Sequence, residues 1–265
     1  MEPKQNTAIL LRKTGLLGVS DQLRYAWQKL YYAKENRKFK ETNPSIKLPP
    51  SYYIYETYRL NYAEYYYDGY ETAKELADLI KKNISLSSGD KVLDWGSGPG
   101  RISRHLPLLL PGNPVYATDY NQKYMDWCKH NIDNVCFSLN SIEPPLNYEN
   151  NGFAAVIGLS IFTHLSARGH NQWIDELCRV TRKNGGLIIT TQGKAYRDKL
   201  LKSERRQFDR GEIVVRGNYR QGHRLYSSFQ SKEAIMELVK NKFTIAEYIE
   251  GNKPGEQDLW VLVKQ

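Results

Sequence analysis

The residues best suited to chemistry cluster in VLDWGSGPG, 92–100, where an acid stands two positions before the first of three alternating glycines. A glycine-rich turn after a short apolar segment brings backbone N–H groups and a helix N-terminus against an anionic group of a ligand. A dinucleotide fingerprint would need Gly or Ala at 101 for close helix–strand packing, and Arg101 stands there. Asp94 would repel a pyrophosphate; it suits a ligand that presents a positive charge beside its carboxylate. Asp119 follows Gly100 by 19 residues and ends a second apolar segment. There a carboxylate can accept both hydroxyls of a ribose. The competing reading makes Asp119 the N-cap of a helix over 122–131. Taken with Asp94 and the glycines, the nucleoside role is favoured.

These residues need a frame that brings them together, and the sequence supplies one. KVLDW (91–95), NPVYAT (113–118), VCFSL (135–139), FAAVIGL (153–159) and GLIITT (186–191) read as strands. Between them, RISRHLPLLL reads as a short helix strained by Pro107 and ended by Pro111, Gln122–Asn131 as a second, and Gln172–Thr181 as a third, stopped by KNGG. Strands alternating with helices at this spacing predict a parallel, doubly wound α/β sheet covered on both faces. KEAIMELVKN (232–241) reads as a helix, then FTIAEYIE (243–250) and DLWVLVK (258–264) as strands whose short connection predicts an antiparallel hairpin. Residues 194–230 form an insertion after the fifth strand, with a charged helical half and a hairpin-like half.

Before the first strand the texture is helical. Residues 20–40 show apolar residues at helical spacing behind a Ser20 N-cap, KLPP at 47–50 breaks the chain, and a second helix runs from Tyr52 to Tyr67. Gly69 interrupts it and Glu71–Lys82 resumes. The expected organisation is an N-terminal helical cap over 1–85 and a core over 86–265. Twelve of the 20 tyrosines lie between Tyr25 and Tyr70. Tyr65, Tyr66 or Tyr67 could close a site, or simply pack within the cap. Trp95, Trp127 and Trp173 read as core or helix–sheet contacts.

Composition narrows the classes. The 265 residues are 40% hydrophobic and 25% charged, which excludes a chain-long disordered polymer. No apolar run approaches the roughly 18 residues needed to cross a bilayer. Ala8–Leu11, followed by Arg12 and Lys13, is too short for a secretory core. Three cysteines without a CxxC pair argue against a disulfide framework and a four-cysteine zinc site, so a reduced, cytoplasmic setting is expected. Lys and Arg total 38 against 29 acids, a net charge of +9. Residues 1–50 and 194–225 each carry 10 basic against 4 acidic residues. That suits an acidic partner, while a well-solvated surface is the plain alternative.

VLDWGSGPGR, ATDYNQKYMDWC, FAAVIGLSIFTHL and WIDELCRVTRKNGGLIITTQG resemble successive motifs of class I S-adenosylmethionine-dependent methyltransferases, and EQDLWVLVK is similar to the end of a branch associated with glycan or small-metabolite biosynthesis. The resemblance covers 90–192 and, more loosely, 222–265. It implies a Rossmann-like sheet of seven strands with the last antiparallel, and S-adenosyl-L-methionine as cofactor. Asp94 would contact the methionine ammonium, while Gly96, Ser97 and Gly98 pass beneath that moiety. Arg101 would reach its carboxylate and Asp119 would hold the ribose. Tyr120 would flank the adenine, with Asn140, Ser141 and Ile142 bordering it. Many relatives carry an Asp at that border, and this chain does not. Leu159 would offer its carbonyl to the ammonium.

Methyl transfer from a sulfonium is an in-line displacement, so alignment and water exclusion supply much of the acceleration, and an oxygen acceptor adds a need for a base. His164, in SIFTHL past the fourth strand, faces the acceptor side of such a fold, as base or as packing against the cofactor. His223 on the insertion is a second candidate, with an exposed loop histidine as the alternative. Gln192 and Tyr196 follow the fifth strand toward the same crevice. No His/Asp/Glu cluster suggests a metal. The expected activity is methylation of a hydroxyl on a sugar, glycan intermediate or natural product, with the insertion and cap as acceptor lid and an acidic acceptor suggested by charge. A nucleic-acid (RNA) methyltransferase is the second reading. LSIFTHL replaces the Asn/Asp-Pro-Pro-aromatic signature of amino-methylating DNA enzymes, and Pro144–Pro145 precede the strand. A cofactor-binding partner module without turnover is the third. A homodimer through the N-terminal helices stays open.

Overall fold

The computed structural model describes residues 17–217 and 219–265. The apolar run 8–11 and the cations 12–13 lie outside the described residues. The chain divides into two compact units, up to Gly69 and from Tyr70 onward.

The first unit is helical: α1 (Leu17–Tyr31), α2 (Ala33–Thr42), α3 (Ser51–Thr57) and the start of α4 (Tyr62–Asn83). Its core is Phe39, Ile54, Tyr55, Leu60, Tyr62 and Tyr65, so Tyr65 is a packing residue. Tyr67 is exposed. Between α3 and α4 the backbone is non-helical, and buried side chains satisfy it. Leu60 N–H donates to Gln28 at 2.9 Å, Tyr62 N–H to Asn36 at 2.8 Å, and Asn36 donates back to the Leu60 carbonyl at 3.0 Å. Ser20 lies inside α1 and caps nothing. Nor does Gly69 interrupt α4: a helical Gly costs only about 1 kcal/mol, less than the burial of Ala73, Leu76, Ala77 and Ile80 beyond it returns.

The second unit is a seven-stranded sheet with helices on its faces. Its strands are β1 (Val92–Trp95), β2 (Val115–Asp119), β3 (Val135–Leu139), β4 (Phe153–Gly158), β5 (Thr181–Thr191), β8 (Phe243–Ile249) and β9 (Asp258–Lys264). A separate hairpin in the insertion pairs β6 (Val214–Arg216) with β7 (Ser227–Phe229). The order is β3-β2-β1-β4-β5-β9-β8. Pairs from β3 to β5 are parallel, and β9 runs antiparallel to both β5 and β8. The seven-stranded Rossmann-like architecture with an antiparallel last strand is therefore observed. β1 and β4 are buried along their whole length, as strands covered on both faces must be.

The helices of this unit are α5 (Leu106–Leu109), α6 (Gln122–Asn131), α7 (Ala167–Val180), α8 (Lys202–Asp209) and α9 (Lys232–Val239). α5 is much shorter than RISRHLPLLL suggested. Pro107 stands in its first turn, and extending the helix backward would set the proline ring against the carbonyl of residue 103. α7 starts five residues earlier than expected, behind the Ser166 N-cap, and passes directly into β5 at Thr181. KNGG thus lies within a strand and stops no helix. Gly185 there leaves no room for a Cβ, which would fall 2.8 Å from the Ala154 carbonyl oxygen.

Among the described residues, no helix is long and apolar enough to cross a membrane.

Candidate functional site

The sheet order reverses direction between β1 and β4, and a cleft opens at the carboxyl ends of the strands there. It holds about 420 Å³ of empty space, part of it open to solvent. One side is Gly96, Asp119, Tyr120, Asn140, Ser141 and Ile142; the other is Trp95, Ile161, His164, Leu165, Trp173 and Gly222. Seven residues picked out in the sequence therefore meet in one place: Gly96, Asp119, Tyr120, Asn140, Ser141, Ile142 and His164. Asp94, Ser97, Gly98, Arg101, Leu159 and His223 do not line this cleft.

Each wall has a local cause. Gly96, Gly98 and Gly100 all have positive φ, at 74°, 55° and 77°. The turn they make folds onto β2: Gly96 and Ser97 N–H donate to the Thr118 carbonyl at 2.8 and 3.0 Å, and Gly98 N–H donates to Asp119 Oδ2 at 3.0 Å. The expected presentation of these N–H groups and a helix N-terminus to an anion is therefore corrected. They are consumed within the protein, and 99–105 form turns before the four-residue α5. Ser97 Oγ differs, being buried without a partner among the described residues.

Asp119 is not the cap of α6. Asn121 caps it, accepting from Lys123 N–H at 3.1 Å, while Asp119 Oδ1 accepts from Asn121 N–H at 2.8 Å. Burial pushes the Asp119 carboxyl up to about 6 against the pull of backbone donors at Asn121, Gly98 and Tyr120. Asp94 is also buried and raised to about 6, chiefly by desolvation; Ser103 Oγ–H, donating at 2.5 Å, and the Arg101 charge oppose this, and Asp119 adds to it. Burial thus brings both carboxyls toward neutrality, and a cationic or hydrogen-bond-donating group near either would favour its ionised form.

The opposite wall is a turn after β4. Ser160 begins it at φ 61°, held by its N–H to Thr190 Oγ1 (2.8 Å), its Oγ–H to Gln257 Oε1 (3.0 Å) and a bond from Thr163 Oγ1 to its carbonyl (2.5 Å). The 3₁₀ turn Phe162–His164 follows. Ser228 Oγ and Gln230 Nε2 on the insertion side both donate to the Phe162 carbonyl, at 2.7 and 3.0 Å, and Gln230 also donates to His170 Nε2 at 2.9 Å. His164 Nδ1 lies 2.8 Å from the Tyr226 carbonyl oxygen. A carbonyl only accepts, so Nδ1 carries the proton and Nε2 the lone pair. Burial lowers the His164 pKa, the Tyr226 carbonyl opposes that, and nearby His223 and Arg224 lower it further. His223 has the other arrangement: its Nδ1 accepts from Leu225 N–H at 3.2 Å, leaving Nε2 as the protonated nitrogen, and its ring lies 4.5 Å from that of Tyr219, tilted by 38°.

The insertion crosses the cleft. Gly222 N–H donates to the His164 carbonyl at 3.0 Å, Tyr120 O–H donates to the Gly222 carbonyl at 3.1 Å, and Ser166 N–H donates to Gln221 Oε1 at 3.2 Å. A Cβ on Gly222 would sit 3.0 Å from Ile142 and 3.2 Å from Tyr120. The segment is thus a strap tying Tyr120 to the His164 turn.

Residues 92–185 match the family described as methyltransferase domain. Solved structures share the fold. The PH0226 protein of Pyrococcus horikoshii OT3 is 21% identical with a TM-score of 0.56, covering 77% of this chain and 96% of its own. A SAM-dependent methyltransferase of Methanosarcina mazei is 16% identical at a TM-score of 0.52, covering 71% and 96%. Geranyl diphosphate C-methyltransferase of Streptomyces coelicolor A3(2), solved with Mg2+, geranyl-S-thiolodiphosphate and S-adenosyl-L-homocysteine, is 9% identical at 0.52, covering 72% and 76%. The residues present would fit S-adenosylmethionine: the Asp119 carboxylate and the Tyr120 ring line the cleft, and next to Gly96 the Ser97 hydroxyl is buried without a partner among the described residues.

Sequence reasoning missed Ile161, Leu165 and Gly222, and took Trp95 and Trp173 for core alone. The two indoles, with centroids 4.6 Å apart, belong to the core and floor the cleft at once. Ile161 carries no local signal; the fold brings its Cδ1 against Gly96, where a Cβ would collide with it, so the position requires glycine. Nothing local marks Gly222. Gln192 sits instead against Gln230, each backbone N–H of the pair donating to the other residue, and Tyr196 is core of the insertion.

Proposed function

We propose that this methyltransferase methylates a hydroxyl of a small, acidic metabolite of sugar, glycan-intermediate or natural-product type, with His164 as general base. The observation that carries this reading is His164 itself: at the cleft, locked by Tyr226 with Nε2 unprotonated, and held neutral at pH 7 by burial. Asp119 takes the ribose hydroxyls, and Tyr120 with Asn140, Ser141 and Ile142 encloses the adenine. Asp94 faces the ammonium, and Ser97 Oγ and Arg101 the carboxylate. When bound, S-adenosylmethionine supplies a methyl group on a positively charged sulfur, which needs no further activation. The chain contributes alignment, exclusion of water beneath the strap, and removal of the acceptor's proton at His164 Nε2. The strap favours a small acceptor over a duplex. The excess of basic residues in the insertion favours an acidic one.

The test is a methyl-transfer screen with labelled cofactor against sugar phosphates, nucleotide sugars and phenolic acids, alongside RNA. Labelled ether product from an acidic hydroxyl compound, lost in His164→Gln, is expected. Label in RNA, or in an amine with His164→Gln unimpaired, overturns the reading.

A further inference from the structure

α1 packs one face into the helical unit and leaves an apolar face exposed. Tyr25 and Gln28 turn into the helical unit, as does Asp21, which accepts from Tyr55 O–H at 2.8 Å. On the other side Val19, Leu23, Ala26, Trp27, Leu30 and Tyr31 are exposed, with Leu23 at 67%, Trp27 at 57% and Leu30 at 79%. At 3.6 residues per turn these six fall within an arc of about 140°. Leu23 lies near its centre, and Trp27 lies toward the edge that Tyr31 forms, the two rings stacked with centroids 4.9 Å apart. Arg24 borders the arc on one side and Lys29 on the other, both exposed, and no acid lies on the arc or its borders.

We infer that this face of α1 docks on an anionic lipid surface. A helix with a leucine-centred apolar face, aromatic rings along one edge and a cation on either side is built to lie in the interfacial plane, rings at headgroup level and cations against lipid phosphate. Charge argues against a second copy of the chain: an isologous α1–α1 contact would bring rims that carry only cations against each other. α2 of the same unit also exposes Lys34, Arg37, Lys38 and Lys40 against Glu35 and Glu41, with Arg37 paired to Glu41. The docking is peripheral and independent of the acceptor chemistry.

The experiment is co-sedimentation of the full chain with phosphatidylcholine vesicles containing phosphatidylglycerol, compared with phosphatidylcholine alone, at low and high salt. Binding to the anionic vesicles alone, weakened by salt, is expected. Leu23→Gln with Leu30→Gln should reduce it about tenfold or more, and Arg24→Glu with Lys29→Glu should abolish it. Both sites are exposed, so S-adenosylhomocysteine binding by calorimetry should be unchanged and reports folding. No binding to anionic vesicles, equal binding by the Gln variant, or a dimer in sedimentation velocity that the Gln variant dissolves would overturn the inference.

Discussion

The carbonyl oxygen of Tyr226 lies 2.8 Å from Nδ1 of His164, and this contact between the insertion and the turn after β4 fixes which imidazole nitrogen is basic. A geometry set by a backbone acceptor survives side-chain changes at 226, so the histidine itself is the place to test. His164→Gln should lower kcat by about 10²- to 10⁴-fold while leaving the cofactor Kd within a few-fold. Steady-state kinetics with calorimetry checks this. Because burial lowers the pKa, the acid limb of kcat should fall below the ordinary histidine range.

Asp94 and Asp119 should make cofactor binding depend on pH. Each carboxyl is raised to about 6 in the free protein, and ligand groups that prefer the ionised forms pull them back down. Affinity should therefore climb from pH 5 to about 7 and level off, with proton release on binding that calorimetry in buffers of different ionisation enthalpy detects. The same shifts act on stability with the opposite sense. A raised folded-state carboxyl favours folding when protonated, so the unliganded protein should lose stability, on the order of 2–3 kcal/mol per carboxyl, as pH rises from about 4 to about 6. Thermal melts with and without S-adenosylhomocysteine should converge at low pH.

Gly222→Ala should loosen the strap. The new methyl meets Ile142 and Tyr120 at 3.0 and 3.2 Å, and the residue has φ 82°, a conformation unfavourable for alanine. A weaker cofactor Kd and faster release of S-adenosylhomocysteine in stopped flow are expected, with global stability lowered by only about 1 kcal/mol.

Arg179 should matter to folding rather than chemistry. It donates to Glu176 through Nε and Nη2 at 2.8 and 2.6 Å and to the carbonyls of Leu146 and Tyr148, stapling the chain before β4 onto α7. Burial pushes Glu176 up, but the bonds from Arg179 and Leu146 N–H outweigh it, so its pKa is lowered. Arg179→Met strands that carboxylate and should cost about 3 kcal/mol in urea unfolding. In wild type, the stabilisation from this pair should fade as pH drops through the lowered pKa.

Local features of this chain were legible where one residue type had one physical use. Strands 135–139 and 258–264 and the helix 122–131 occupy the positions their patterns predict. So does the Asp119 carboxylate at the end of β2. Errors came where weak local signals met tertiary packing. Gly69 and KNGG looked like stops, yet neither ends a helix. The strap was beyond reach for a different reason: Tyr120 and Gly222 stand 102 residues apart, and only the folded sheet brings them together.

The position of β9 has a consequence for synthesis. β9 is made after β8 but lies between β8 and β5, antiparallel to both. A nascent chain that has emerged only as far as Ile249 has a strand with no neighbour and an open rim on β5, both apt to pair with other molecules. The closing step of the sheet is therefore an insertion rather than an addition, and a ribosome stalled short of Asp258 would leave a template for aggregation.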